Sequence, residues 1–164
     1  MKIQLIELPN RLLDKMGLVK KDDLNVGQVD PKGIAEAERM VENLKKECPA
    51  AISGYLEELT KAWEDMRDLP DNDERAELSE RIFTLAHEIK DLAVLSDAHL
   101  TAYFSESLRD YIGETELNLE AQRVIIQAHV DAMTVVNKQQ LKDAEGEMAE
   151  ELKGMVKIAI DKYK

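Results

Sequence analysis

The chain has 164 residues with 44% hydrophobic and 4% aromatic content, so it can fold as one domain whose core must be built from aliphatic side chains. Its 34 acidic residues outnumber 22 basic ones, and the formal net charge of −12 argues against nucleic acids and anionic membrane surfaces as partners. One cysteine excludes an internal disulfide, and no run of about eighteen apolar residues is present, so we expect a cytoplasmic protein without a membrane span.

Residues 1–30 are expected to form an irregular N-terminal arm. The run Leu8-Pro9-Asn10 breaks any early element, and two glycines follow it within the arm. Residues 31–164 instead place apolar side chains at the three-and-four spacing of helices, with no alternating strand pattern. The sequence therefore predicts an all-α domain at 31–164 that follows the arm.

Six helices are predicted in this domain. Asp30-Pro31 combines an N-cap residue with a proline at the first helical position, so the first helix is expected to begin there. Pro49 is expected to separate it from the second helix, and Gly113 to end the fourth. The predicted ranges are about 31–46, 50–68, 73–95, 98–112, 118–142 and 144–163. Helices of this length with short connections predict an up-and-down four-helix bundle with an extra N-terminal helix.

The third predicted helix carries a histidine on its outer face. At about 100° per residue, His87 lies roughly opposite the apolar stripe of this helix. Phe83 and Lys90 flank His87, and Val94 lies two turns further along. A lone imidazole on the solvent side, beside a cation and two apolar side chains, suits contact with another protein better than core packing or metal binding. The apolar stripe consists of Leu78, Ile82, Leu85, Ala86, Ile89 and Ala93.

Other site chemistries lack the residues that they need. A di-metal centre in a helical bundle requires a glutamate three residues before a histidine, but those positions hold Thr84, Ser96 and Ile126. One cysteine and three scattered histidines do not provide a zinc site, and the sequence contains no nucleophile elbow and no glycine-rich phosphate loop. We expect His129 to be a half-buried packing residue and His99 to be exposed or capping.

The segment from His87 to Ala93 has the sequence His-Glu-Ile-Lys-Asp-Leu-Ala. It resembles the phosphoacceptor motif of histidine-containing phosphotransfer (HPt) domains, His-x-x-Lys-Gly-x-Ala. The wider chain is similar to the HPt-like proteins of alphaproteobacteria at 8–12, 100–112 and 128–132. The resemblance covers most of the chain and implies a four-helix bundle with the motif on a long helix.

The resemblance implies a phosphocarrier with a transient phosphohistidine and not an enzyme. His87 would accept a phosphoryl group from the aspartyl phosphate of a response-regulator receiver domain and pass it to another, and a histidine kinase is a further implied partner. Lys90 would lie beside the phosphoryl oxygens. The chain itself would need no cofactor, because the receiver holds the Mg²⁺. The docking residues that the resemblance suggests are Phe83, Thr84, Asp91 and Val94.

Two positions depart from the family pattern. Asp91 stands where the family has glycine, and at roughly 6 Å its carboxylate would repel a doubly charged phosphoryl group by about 1–2 kcal/mol. We also expect Asp91 to draw Lys90 away from the phosphoryl group. Asp97 occupies a second position where the family often has glycine. These departures leave open a degenerate HPt-like module that docks a receiver or histidine kinase without phosphotransfer, or a structural helical protein with no signalling partner.

Overall fold

A computed structural model of the protein describes residues 31–163, so the predicted arm at 1–30 lies outside the described residues. This part of the chain forms five helices and no strand, which confirms the all-α prediction. The chain divides into two compact units between Met40 and Val41, and residues 31–40 are the described part of the first unit. The helices are α1 Pro31–Met66, α2 Asp73–Leu95, α3 His99–Glu114, α4 Leu119–Gln139 and α5 Glu147–Tyr163.

The predicted break at Pro49 is wrong, and so is the separate N-terminal helix that it defined. Helix α1 continues through Pro49 over 36 residues. A proline inside a helix removes one backbone donor and crowds the carbonyl four residues earlier, which locally disfavours the helix. Cys48 and Ile52 on either side of Pro49 are buried in the core. Packing of these turns outweighs the local penalty, because most helix stability in proteins comes from tertiary contacts.

Helices α1 and α4 are antiparallel neighbours. The indole Nε1 of Trp63 donates a hydrogen bond to Gln127 Oε1 at 2.8 Å. Two to three turns earlier in α1, Ser53 Oγ donates to Asn137 Oδ1 at 3.1 Å. Moving forward along α1 therefore means moving backward along α4.

The other neighbours complete an up-down-up-down bundle of α1 to α4. Helices α2 and α3 pack closely and meet where the Phe83 ring lies over Gly113. Helix α3 pairs with α4 through Ser107 and His129. Helix α5 packs against α4 and also approaches α3, where Lys153 Nζ lies 5.3 Å from the centre of the Tyr103 ring.

The core is mostly aliphatic, as the low aromatic content predicted. The outward faces of the helices carry most of the charged side chains, together with exposed apolar residues such as Leu44, Val94 and Ile158. No helix between residues 31 and 163 combines the length and apolarity that a bilayer crossing requires. The largest fully buried side chains are Trp63, Phe104, Leu59, Met66, Ile82, Leu85, Ile89, Leu100, Leu108, Ile125, Ile126 and Met133.

Two helices begin at asparagine caps, and one helix extends beyond its expected end. Asn72 and Asn118 cap α2 and α4, since their side-chain oxygens accept hydrogen bonds from backbone amides of the first turn at 2.9 and 3.1 Å. The expected end at Gly113 is wrong, because α3 continues to Glu114. A Cβ at position 113 would lie 3.2 Å from Cε2 of Phe83, so this glycine serves the close approach of α2 and α3.

Candidate functional site

Helix α2 presents His87 to solvent. The residues on the opposite face, including Leu85, Ala86 and Ile89, are fully buried and fix the rotation of the helix. The His87 side chain is 51% exposed, as the helical pattern predicted. An exposed imidazole on a rigid, core-anchored helix is available to a second molecule without any rearrangement of the backbone.

The Asp91 carboxylate lies between His87 and Lys90. Its Oδ2 atom is 3.5 Å from His87 Nε2, and its Oδ1 atom is 3.5 Å from Lys90 Nζ. The acid thus makes a charge contact with the neighbouring ammonium and a polar contact with the imidazole one turn earlier. One anionic side chain therefore occupies the space between the two groups that a second molecule would have to contact.

The predicted docking residues occupy three different environments. Phe83 is half-buried, because its ring packs over Gly113 of α3. The half-buried Thr84 hydroxyl donates a hydrogen bond to the Glu80 carbonyl oxygen at 2.9 Å. Val94 is 57% exposed, two turns from His87. The outward surface of α2 is therefore formed by Val94 together with His87, Lys90 and Asp91. Phe83 lines a groove beside this surface.

Helix α3 contributes a basic residue that the sequence analysis missed. Arg109 Nε donates to Asp110 Oδ1 at 2.9 Å, and its NH2 group lies 3.6 Å from Glu106 Oε1. The hydrogen bond with Asp110 raises the pKa of Arg109, and the charges of Glu106 and Asp91 raise it further. The last effect places Arg109 within the electrostatic reach of Asp91. Helix α3 is antiparallel to α2, so the turn that precedes Gly113 lies beside the turn of His87, and the sequence alone gave no signal of this pairing.

Asp97 has a conformational role away from this surface. Its φ of 59° is left-handed, a conformation that favours glycine but that aspartate tolerates better than most residues. Lys45 Nζ donates to Asp97 Oδ2 at 3.0 Å, and this hydrogen bond holds the pKa of the Asp97 carboxyl below its usual range. Asp97 lies ten residues beyond His87, roughly 15 Å along the helix direction. At that distance salt largely screens its charge, so it has little effect on His87.

The remaining histidines lie elsewhere. His99 is exposed at the first position of α3. His129 is completely buried, so the prediction of a half-buried side chain is wrong. Its Nδ1 atom donates to the Ile125 carbonyl oxygen at 2.7 Å, which leaves Nε2 to accept from Ser107 Oγ at 2.9 Å. Burial lowers the pKa of His129, so a neutral ring is favoured.

Comparisons of the chain with protein-family models, curated proteins and solved structures find no match. Over residues 31–163, the structure also contains no group of three or more histidine, cysteine or acidic side chains placed to hold a metal ion. The functional argument therefore depends on the geometry around His87 and on the motif that this helix carries.

Proposed function

We propose that this protein is a histidine phosphotransfer protein that relays a phosphoryl group between receiver domains of a two-component phosphorelay. The observation that carries the proposal is the exposed His87, held on the outer face of a bundle helix with Lys90 on the adjacent turn. Such a relay operates in the cytoplasm, where receiver domains are found. A docking surface is all that the helical protein must add, because the receiver supplies the Mg²⁺.

The transfer step needs only one nucleophile from this chain. A ring nitrogen of neutral His87 attacks the phosphorus of the receiver's aspartyl phosphate. The new N–P bond replaces the acyl-phosphate P–O bond, the receiver recovers its carboxylate, and the imidazole releases its other N–H proton to solvent. Lys90 then offsets the charge of the phosphoryl oxygens. Asp91 is exposed, so its carboxylate can rotate away to admit the phosphoryl group.

A degenerate binding module is the second candidate, and Asp91 favours it. Its carboxylate contacts both His87 and Lys90 at 3.5 Å, so it competes directly with a phosphoryl group for the same two side chains. In this case a receiver or histidine kinase would dock on α2, and the protein would regulate that partner by occupancy alone.

The decisive experiment is phosphoryl transfer to the purified protein. Receiver domains from the same genome, phosphorylated with acetyl phosphate, serve as donors, and phosphoramidate serves as a donor that needs no docking. We expect an acid-labile label on the protein, lost in His87→Gln and retained in His99→Gln, a matched change of another exposed histidine. A label that persists in His87→Gln removes His87 from the mechanism.

Substitution of Asp91 separates the two candidates. Asp91→Asn keeps the size of the side chain and removes its charge, while Asp91→Gly removes both. If the wild-type protein is a slow carrier, either variant is expected to raise the transfer rate about tenfold, because the electrostatic penalty is removed. A label found in Asp91→Gly and absent from the wild type identifies the natural protein as a binding module.

A further inference from the structure

A groove of about 600 Å³ opens between α2 and α3, one helical turn from His87. Its apolar wall includes Phe83, Ile112 and Leu117. The Leu117 side chain is 50% exposed, so part of this wall faces solvent. Open apolar surface next to a candidate reactive residue is typical of a site that another molecule covers.

The acidic residues of the groove favour a cationic occupant. Glu80 and Asp71 are exposed along the lining, and within residues 31–163 the Glu80 carboxylate forms no ion pair. The lining also contains the cation of Arg75, but this residue is only 2% exposed. The charged surface that an incoming group meets is therefore negative.

Arg75 is occupied by the protein itself. Its NH1 group donates to the carbonyl oxygens of Met66 and Leu69 at 2.8 and 3.0 Å, which neutralises the C-terminal end of α1. Its NH2 group donates to Gln122 Oε1 at 2.6 Å. The Nε atom of Arg75 is buried and has no hydrogen-bond partner among the described residues. Both terminal nitrogens are occupied, however, and at 2% exposure Arg75 lies at the base of the groove beneath the surface that an incoming group meets.

We infer that the groove receives an arginine side chain from the protein that docks at His87. The aliphatic stem of the arginine would pack on Phe83 and Leu117, and its guanidinium would pair with Glu80. Arginine fits better than lysine, because a planar guanidinium can stack on an aromatic ring while it binds a carboxylate. The inference rests on the proposed function, since one partner has to reach both His87 and the groove. The net charge of −12 would also steer a basic docking face toward this protein.

The groove is tested first without any partner protein. N-acetyl-L-argininamide is titrated into the ¹⁵N-labelled full chain, with N-acetyl-L-lysinamide for comparison. We expect the amides of Gly113 and Thr115 to shift with a millimolar dissociation constant for the arginine probe, and weaker binding of the lysine probe. Glu80→Gln is expected to weaken arginine binding roughly two- to five-fold. Glu88→Gln, an exposed acid of the same helix outside the groove, is the matched control and leaves binding unchanged.

Two results of this titration overturn the inference: no shifts at Gly113 and Thr115, or equal arginine affinity in Glu80→Gln and Glu88→Gln. Stronger binding of the lysine probe than of the arginine probe also overturns the choice of arginine.

A second measurement distinguishes failure of the groove from failure of the proposed function. Glu80→Gln is expected to raise KM for a phosphorylated receiver several-fold, and to affect labelling by phosphoramidate no more than Glu88→Gln does. If neither donor labels wild-type His87 while argininamide still binds in a Glu80-dependent way, the phosphotransfer proposal fails, but the groove is still an arginine-binding site. If receivers label wild type and Glu80→Gln with the same KM, the groove is not the docking site and the phosphotransfer proposal stands.

Discussion

His87 and His129 illustrate how position on a helix determines what an imidazole can do. His87 lies on the solvent side of α2, where it contacts the exposed carboxylate of Asp91. His129 lies inside the bundle, where both ring nitrogens have fixed partners in Ile125 and Ser107. A ring with both nitrogens engaged and no access to solvent cannot exchange a phosphoryl group, so the bundle offers His87 and not His129 to a partner.

Burial of His129 predicts a loss of stability in mild acid. Because the pKa of His129 is lowered in the folded protein, the unfolded chain takes up this proton first as the pH falls. The stabilising contribution of the neutral His129 ring is therefore fully present above the unfolded-state pKa of about 6.5. Below that pH the free energy of unfolding declines, by at most about 1.4 kcal/mol per pH unit. We expect the free energy of unfolding in urea to fall between pH 7.5 and pH 5.5, with His129 as one contributor.

His129→Gln isolates that contribution. The variant lacks the imidazole contacts at pH 7.5 and at pH 5.5 alike, and its glutamine takes up no proton between these two pH values. The stability gap between wild type and variant is expected to narrow by about 1 kcal/mol at pH 5.5. His99→Gln, at an exposed position, serves as the control. A gap that stays constant with pH would show that His129 does not titrate differently in the folded and unfolded states.

The helical periodicity of the sequence placed His87 on the correct face, but it could not give the depth of burial of His129. That depth depends on Ser107 of α3, which reaches the ring from a segment 22 residues away. Contacts between helices are not encoded in the spacing along one helix, so a side chain that was expected to be half-buried is fully buried.

At the level of the helices, sequence-based prediction fails where the local helix propensity of a residue disagrees with its packing against other helices. Pro49 and Gly113 both have strong helix-ending propensity, and both lie inside helices. Each is outweighed by packing: Cys48 and Ile52 on either side of Pro49 are buried in the core, and Gly113 accommodates the Phe83 ring. By contrast, Asn72 and Asn118 act as caps through hydrogen bonds to the first turn of their own helices, so no contact with another helix is needed.

Continuity of α1 predicts that Pro49→Ala stabilises the protein. Alanine restores a backbone donor to the carbonyl of Lys45 and removes the clash of the proline ring, in a helix where interior proline costs up to about 3 kcal/mol. Since Pro49 is exposed, no core contact is lost. We expect a gain of about 1–3 kcal/mol in urea unfolding, together with unchanged or higher helicity by circular dichroism.

Ala51→Gly is the companion variant, since Ala51 is an exposed position two residues further along α1. It is expected to cost about 1 kcal/mol if this segment is helical. Neutral effects of both Pro49→Ala and Ala51→Gly would indicate that the helix is interrupted here after all.

For the molecule as a whole, the sequence was most informative about class and least informative about the surface between helices. The stripe that contains His87, Lys90 and Val94 follows from one helix and could be predicted. The groove beside Phe83 and the basic group of Arg109 depend on how α3 lies against α2. Side chains that two helices bring together carry no joint signature in a single sequence, which is why these parts of the site emerged only from the structure.

The net charge of −12 leads to a prediction about the stability of the whole protein. The excess of carboxylates repels itself more strongly in the folded state than in an expanded chain. The ion pairs among the described residues, such as Lys45–Asp97, are largely on the surface, where each contributes at most about 1 kcal/mol. Screening of the repulsion should therefore outweigh weakening of the pairs, and we expect Tm to rise by a few degrees between 10 and about 150 mM NaCl.

Two exposed positions of α5 test whether repulsion causes this salt effect. Glu151 follows Glu147 by four residues on the same helix face, so Glu151→Gln removes a like-charge contact and is expected to raise Tm at low salt. Lys157→Gln increases the net negative charge of the protein and is expected to lower Tm at low salt. Both differences should shrink in about 150 mM NaCl, since the Debye length falls to about 8 Å. A Tm that falls as NaCl is added would show that the surface ion pairs contribute more than the carboxylate repulsion costs.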